Sequence, residues 1–290
     1  MPEVGLVKLA ATALKIARRV LPARRTRFSK KQFTQPQLLA LLCVMRFEDW
    51  TYREAEVRLA EHQELRRALN LQSVPDHTTV YRFLRRLREE DLAKILAEVV
   101  KRFPRYKGRR SVVAAIDATG LTPGAISTFF VHRRQHHNQK PLSRRFWLKW
   151  LVVVDVSRHL LLSQSAHAGP INDCGRLPEM IDRAHHAAPI KIVLADAEFD
   201  SERNHRHVRQ VLKAQSVIPA KRGKANWNIT GVRASMRANF PSALYRRRAQ
   251  IESVFSAIKR KLSGRAPGRT LVTQRLQALL LGLTFNLYRL

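Results

Sequence analysis

The segment YRRRAQIESVFSAIKRK, residues 245–261, holds a single acid, Glu252, between Arg246, Arg247 and Arg248 on one side and Lys259, Arg260 and Lys261 on the other. As a helix, with 100° between residues, it places Tyr245, Arg248, Glu252 and Lys259 within an arc of about 60°. An apolar stripe of Ile251, Val254, Phe255, Ile258 and Leu262 borders that arc and would anchor it on a core. Taken alone, Arg248 and Glu252, four residues apart, read as a weak ion pair on a helix surface. The rest of the chain has to decide whether the acid does more.

Two other acids stand out by what precedes them. Asp117 follows the apolar run VVAAI, and Asp196 follows KIVLA. Both runs have the character of buried strands, so each acid is expected at a strand end. Polar residues at strand ends gather where ligands bind in α/β sheets. Carboxylates from separated segments suit phosphoryl transfer on nucleic acid, in which two divalent cations about 3.5 to 4 Å apart activate the attacking oxygen and stabilise the leaving one. A solvated strand end is the plainer alternative for Asp117. Glu198 and Asp200 compete with Asp196, because all three alternate onto one side if the strand continues. Asp155 has a turn-forming reason to occur, and Asp173 reads as a helix cap.

Composition narrows the partner. Of 290 residues, 54 are Lys or Arg against 22 Asp or Glu, a formal charge of +32, and 45% are hydrophobic. The chain can therefore build a large core or two smaller ones, while its charge calls for a polyanion. Basic residues run from KIARRVLPARRTRFSKK near the start to RKLSGRAPGR near the end, a distribution that fits nucleic acid better than a membrane surface. Cys43 and Cys174 form neither a disulfide framework nor a zinc motif, consistent with a reducing, cytoplasmic setting. The opening amphipathic segment lacks the apolar core of a secretory signal, and the apolar C-terminal stretch is interrupted by Gln274, Arg275, Gln277 and Asn286. That stretch reads as a buried helix, with no membrane partner.

The elements that must position the acids follow from pattern. The first hundred residues are expected to be helical, with Thr34 as a cap, Thr51 and Glu54 as a capping box, and Asp76 or Thr78 opening a basic helix. Leu84 and Leu87 of that helix point inward, and Arg82, Arg85, Arg86 and Arg88 outward. It could enter a major groove or simply present a solvated basic face. Thirteen residues, 63 to 75, separate the two capped helices, too many for a strict helix-turn-helix. After KRFPRYKGRRS come a strand ending at Asp117, a long basic loop (TPGAISTFFVHRRQHHNQKPLSRR), two strands joined by a turn at DVSRH, and then helix, strand, helix, strand, helix, helix. A three-strand meander followed by alternating helices and strands makes a mixed sheet flanked by helices, the α/β arrangement of the ribonuclease H fold. We divide the chain into a helical, basic DNA-binding region, 1–108, and a ribonuclease H-like catalytic domain, 109–290.

With these residues in place the chain resembles the DDE transposases of bacterial and archaeal insertion sequences. That family carries Tyr, two residues, Arg, three residues, Glu, six residues, Lys around its third catalytic acid, and Tyr245, Arg248, Glu252 and Lys259 match at every spacing. AAIDATGL is similar to its first-acid strand, and IVLADAEFDS followed by VIPAKR to its second-acid region. Where members often have Gly two residues after the second acid, this chain has Glu198, and the β-rich insertion of some relatives before the Tyr has no room here.

The resemblance implies that Asp117, Asp196 and Glu252 bind two magnesium or manganese ions, cut element ends by water attack and join the freed 3′-hydroxyls to target DNA. It also implies that Arg248 and Lys259 hold phosphates while Tyr245 packs on the DNA backbone. The partners would be double-stranded DNA, both inverted-repeat ends and target, and a second copy of the chain in the DNA complex. A nuclease or resolvase that cleaves without rejoining, and an inactive DNA binder descended from a transposase, are the alternatives. The basic helical region favours a transposase, which must recognise an element end as well as cut it.

Overall fold

The computed structural model describes residues 4–28, 31–103, 111–123, 147–169, 171–221 and 229–290. The expected boundary at 108/109 and most of the long basic loop after the first strand lie outside the described residues. Helices α1 (Leu6–Val20), α2 (Gln35–Glu48), α3 (Tyr52–Glu61), α4 (Gln63–Ala68), α5 (His77–Arg86) and α6 (Glu89–Arg102) come first. Capping boxes at Thr34/Gln37 and Thr51/Glu54 start α2 and α3, and the Asp76 carboxylate accepts from Thr78 N–H to start α5. These side chains satisfy donors that a helix start leaves unpaired. Helix α4 occupies part of the 63–75 interval.

Five strands form one sheet: β1 (Val112–Leu121), β2 (Leu148–Asp155), β3 (Leu160–Ala168), β4 (Ile190–Leu194) and β5 (Gln215–Val217), in the order β3-β2-β1-β4-β5. β1, β2 and β3 pair antiparallel, whereas β4 is parallel to β1 and β5 to β4. An antiparallel meander extended by parallel strands on the far side of β1 is the ribonuclease H-like mixed sheet expected from the element order. Between β3 and β4 lies α7 (Leu177–Ala187), and between β4 and β5 the short α8 (Glu202–Arg206) runs into a π-helical turn, His207–Val211. After β5 come α9 (Gly231–Ala238), which the sequence pattern missed, α10 (Ser242–Tyr245), a 3₁₀ turn (Arg246–Ala249), α11 (Gln250–Lys261) and α12 (Leu271–Arg289).

The two faces of the sheet bury separate apolar clusters. Val112, Ala114, Ile116, Leu151 and Val153 meet α7 and the π turn, while Ala115, Leu121, Trp150, Val152 and Val154 belong to a cluster that includes α11, α12 and residues of α1 to α6. The N-terminal helices therefore share a core with one sheet face. Helix α12 is its axis, and each polar residue that interrupts it reaches another element. Gln274 donates to Gly268 O, Arg275 pairs with Glu89 at 2.7 Å, Gln277 donates to Tyr52 Oη, and Asn286 bonds both backbone groups of Leu161. Leu161 lies where the β2–β3 register shifts, so Asn286 satisfies backbone groups at the irregularity. Among the described residues no helix is long and apolar enough to cross a membrane.

Close approach of α12 to the sheet depends on Gly282. A Cβ there would meet Leu161 Cδ2 at 2.7 Å, Trp150 Cζ2 at 2.9 Å and the Gln164 carbonyl oxygen. Gly282→Ala, which by helix propensity alone would gain about 1 kcal/mol, should instead lower stability by about 1–3 kcal/mol through overpacking. Denaturant unfolding of the variant against the parent measures the sign.

Candidate active site

Side-chain alternation along β1 sends Ala115, Asp117, Thr119 and Leu121 to the sheet face on which α11 lies, and Ile116 to the other. Asp117 is not at the end of the strand as expected. It lies in its interior, opposite Val152 of β2, and β1 continues to Leu121. The strand that does end is β4, whose pairing with β1 stops at Ala115 and Leu194. Register positions the second candidate acid. Ala115 pairs with Leu194, and Asp117 and Asp196 each follow by two residues, which brings both to the same side.

Backbone geometry gives Asp196, Glu198 and Asp200 different surroundings. The strand does not continue through them: Ala197–Phe199 is a 3₁₀ turn, and the Asp196 carboxylate caps it by accepting from Glu198 N–H at 2.9 Å. Glu198 is exposed, while Asp200 is buried. Asp200 receives Arg233 through Nε and Nη2 at 3.0 and 2.7 Å and accepts from Lys221 N–H at 2.9 Å. Burial works against its charge, but these donors prevail and hold its carboxyl below the usual range. Asp200 thus ties α9 to the turn after β4. Asp155 accepts from Ser157 and Arg158 N–H groups in the hairpin turn, as expected. Asp173 caps nothing with its side chain. It is buried against Lys149 at 2.6 Å and His167 at 3.1 Å, because the end of the meander places those two side chains beside it.

The third candidate acid comes from α11. Ile251, Val254, Phe255 and Ile258 are buried as the stripe required, with Leu262 just beyond the helix, while Glu252 is 65% exposed. The segment is not one uniform α-helix, since the 3₁₀ turn Arg246–Ala249 precedes Gln250. In that tighter turn residues three apart eclipse, which keeps Tyr245 under Arg248, 5.9 Å from ring centroid to guanidinium. Arg248 reaches across to the sheet: Nη1 is 2.7 Å from Asp117, and Nη2 is 3.5 Å from Glu252. The i,i+4 pair is therefore the weaker half of a bridge to β1. Lys259 donates to Thr119 Oγ1 at 2.7 Å, a contact sequence reasoning missed although Thr119 shares the parity of Asp117. Tyr245 also packs edge-on against Phe240, at 5.0 Å between centroids.

Electrostatics follow burial. Burial pushes the Asp117 carboxyl up; the Ala118 N–H and Arg248 oppose the shift and the negative Asp196 adds to it. Burial likewise raises the Tyr245 phenol, and the charges of Asp196 and Asp117 add to that, while Lys259 is lowered by burial. The Asp117 carboxyl is raised mainly because it is buried, and Arg248 offsets part of that shift. The donor set of Asp117, Asp196 and Glu252 is entirely carboxylate oxygen, which suits hard divalent ions. Their donor atoms are not drawn together. Among the described residues, the His, Cys, Asp and Glu atoms that converge within 4.8 Å are those of Glu56, Asp76 and His77. There Glu56 accepts from His77 N–H and lies 2.9 Å from Nδ1, so that group is accounted for as a brace at the start of α5. Arg82, Arg85 and Arg86 are exposed on α5, and the buried Leu84 and Leu87 face inward as expected.

Residues 108–287 match the family model described as the transposase DDE domain. No curated protein matched the sequence. Solved structures with similarity include a piggyBac transposase synaptic complex with hairpin DNA, at 10% identity and a TM-score of 0.44, covering 98% of this chain and 74% of that one. They also include a Mos1 transposase paired-end complex with left transposon end, at 12% identity and a TM-score of 0.26, covering 83% and 82%. The family match spans well over half of the chain, so the protein belongs to the DDE transposases. It is a DNA transposase, of a family that generally uses divalent metal ions.

The Asp200 pair separates structure from chemistry. Asp200→Asn removes the buried charge that Arg233 binds there and should cost about 3 kcal/mol. Because the native carboxyl is held below its unfolded value of about 3.9, its stabilisation is present above that pH and is lost as pH falls through the native value. Melting curves between neutral and acid pH should show the parent losing this advantage over the Asn variant.

Proposed function

We propose that Asp117, Asp196 and Glu252 are the catalytic acids of this transposase and together hold two magnesium or manganese ions during DNA cleavage and strand transfer. The observation that carries this reading is the β1–β4 register, which puts Asp196 beside Asp117 on the face where Arg248 links Asp117 to Glu252. When bound, the ions would activate the attacking water or 3′-hydroxyl and stabilise the leaving oxygen. Asp117 and Asp196, fixed by sheet and turn, would define the site's position. The exposed Glu252 closes it from the helix. Arg248 neutralises the acids without DNA and has a phosphate as its alternative partner. Lys259, set by Thr119, and Tyr245 flank the same face and would contact the scissile strand. Arg82, Arg85 and Arg86 of α5 would grip the element end. Joining two ends calls for a second copy of the chain in the DNA complex, and the setting is the cytoplasm at the nucleoid.

Asp196→Asn and Glu252→Gln should each abolish magnesium-dependent cleavage of a duplex carrying the element end, whereas Glu198→Gln should retain most of it. DNA binding by Glu252→Gln should hold or improve, since a negative charge near phosphates is gone. Magnesium should raise the melting temperature of the parent more than that of either inactive variant. Normal cleavage by Glu252→Gln would return that residue to the role of a surface ion pair.

Affinity for random duplex should fall steeply between low and physiological salt as counterions are released. Replacing Arg82, Arg85 and Arg86 with Gln should weaken binding to element ends more than to random duplex. Equal losses in titrations of both DNAs would make α5 a backbone contact only.

A further inference from the structure

Lys259 has a neutral partner. Its Nζ donates to Thr119 Oγ1 at 2.7 Å, and among the described residues no carboxylate lies within ion-pair reach of it. Partial loss of water lowers the ammonium, and no neighbouring charge offsets that shift. Arg248 on the same face is different, because it is paired with Asp117 at 2.7 Å and lies 3.5 Å from Glu252. A hydroxyl holds an ammonium in place without cancelling its charge, whereas a carboxylate would compete with a phosphate for it.

The end of α11 is fixed against the end of β1 at three points. Besides Lys259 on Thr119, Thr122 donates its N–H to Gly264 O at 3.1 Å, and its carbonyl accepts from Ala266 N–H at 2.7 Å. The chain just past α11 therefore runs as a short parallel bridge beside β1. Buried Arg46 of α2 donates to Arg265 O at 2.9 Å and ties the same segment to the N-terminal helices. Thr119 is half-buried and set opposite Trp150 of β2, and its β-branched side chain has few rotamers. A flexible lysine is thereby given a rigid acceptor. Thr119 follows Asp117 by two residues on one face, roughly 7 Å along the strand, or roughly two base steps of DNA. A DNA strand whose reacting phosphate lies at Asp117 passes Lys259 next.

We infer that Thr119 is a positioning residue for the DNA reaction, holding the Lys259 ammonium where a phosphate close to the reacting one is bound. This rests on the phosphate role proposed for Lys259 and adds the residue that sets its place.

Thr119→Val keeps the shape of the side chain and removes the hydroxyl, and Thr119→Ser keeps the hydroxyl. Both are compared with Lys259→Met and with the Thr119→Val/Lys259→Met double variant. Binding to a duplex carrying the element end is titrated over a range of salt with EDTA present, so that no cleavage is required. The slope of log affinity against log salt should become shallower by about one in Lys259→Met, the loss of one phosphate contact. Thr119→Val should lose about tenfold in affinity at low salt, the worth of one hydrogen bond to a charged group, while Thr119→Ser stays within about twofold of the parent, well inside that loss. The double variant should fall within about twofold of Lys259→Met alone, because the two side chains act as one unit. Thr119→Ala gives the same comparison if the Val variant melts early. Magnesium-dependent cleavage should follow the same order. Its alkaline limb should move to lower pH in Thr119→Val, since the hydroxyl that favours the charged ammonium is gone; a structural fault would lower the rate alike at every pH.

Parent-like binding by Thr119→Val and Thr119→Ala beside an impaired Lys259→Met, or losses that add in the double variant, overturns the inference and leaves the phosphate role of Lys259 standing. Parent-like binding and cleavage by Lys259→Met removes that role and the inference with it.

Discussion

Parallel pairing of β1 with β4 is the constraint on which the candidate site depends. Strand alternation has a period of two, so a slip of one residue in that register would send Asp196 to the opposite face from Asp117. Several features oppose a slip. Ala115 and Leu194 are both fully buried on the α11 face, and the turn after β4 is locked by the Asp196 cap and by the Asp200–Arg233 pair. The acid that holds the turn and the acid that faces the site are four residues apart and have opposite environments.

The second determinant is the attachment of α11. Its buried stripe sets the helix on the sheet, and Arg248 and Lys259 then cross to Asp117 and Thr119, two positions of equal parity on β1. Burial would otherwise penalise Asp117 heavily, and the guanidinium offsets part of that penalty. The same arrangement leaves Arg248 shared between Asp117 and the more exposed Glu252.

Helix α12 links the catalytic sheet to the N-terminal helices. It buries nearly its whole length, and its few polar residues bond to β3, to Tyr52 of α3, to Glu89 of α6 and to the loop before α12. Helix α5 and the sheet are thereby parts of one packed body. Cys43, buried in α2 against Thr284 of α12, has its thiol pushed up to about 12 by burial, so it behaves there as a small apolar group.

Local sequence was sufficient for whatever depends on periodicity or on a few adjacent residues. The caps at Thr34 and Thr51, the buried stripe of α11, the hairpin turn at Asp155 and the order of strands could all be read from it, because each is governed by groups within a few positions of one another. The helical spacing of Tyr245, Arg248, Glu252 and Lys259 was legible for the same reason. Tertiary structure alone decided the partners of those residues. The interior position of Asp117, the turn that separates Asp196 from Glu198 and Asp200, the placing of Lys149 and His167 around Asp173 and the use of Thr119 by Lys259 depend on strand register and on contacts more than 100 residues apart in some cases. A linear pattern specifies which face a side chain occupies, but not which face of another element is brought against it.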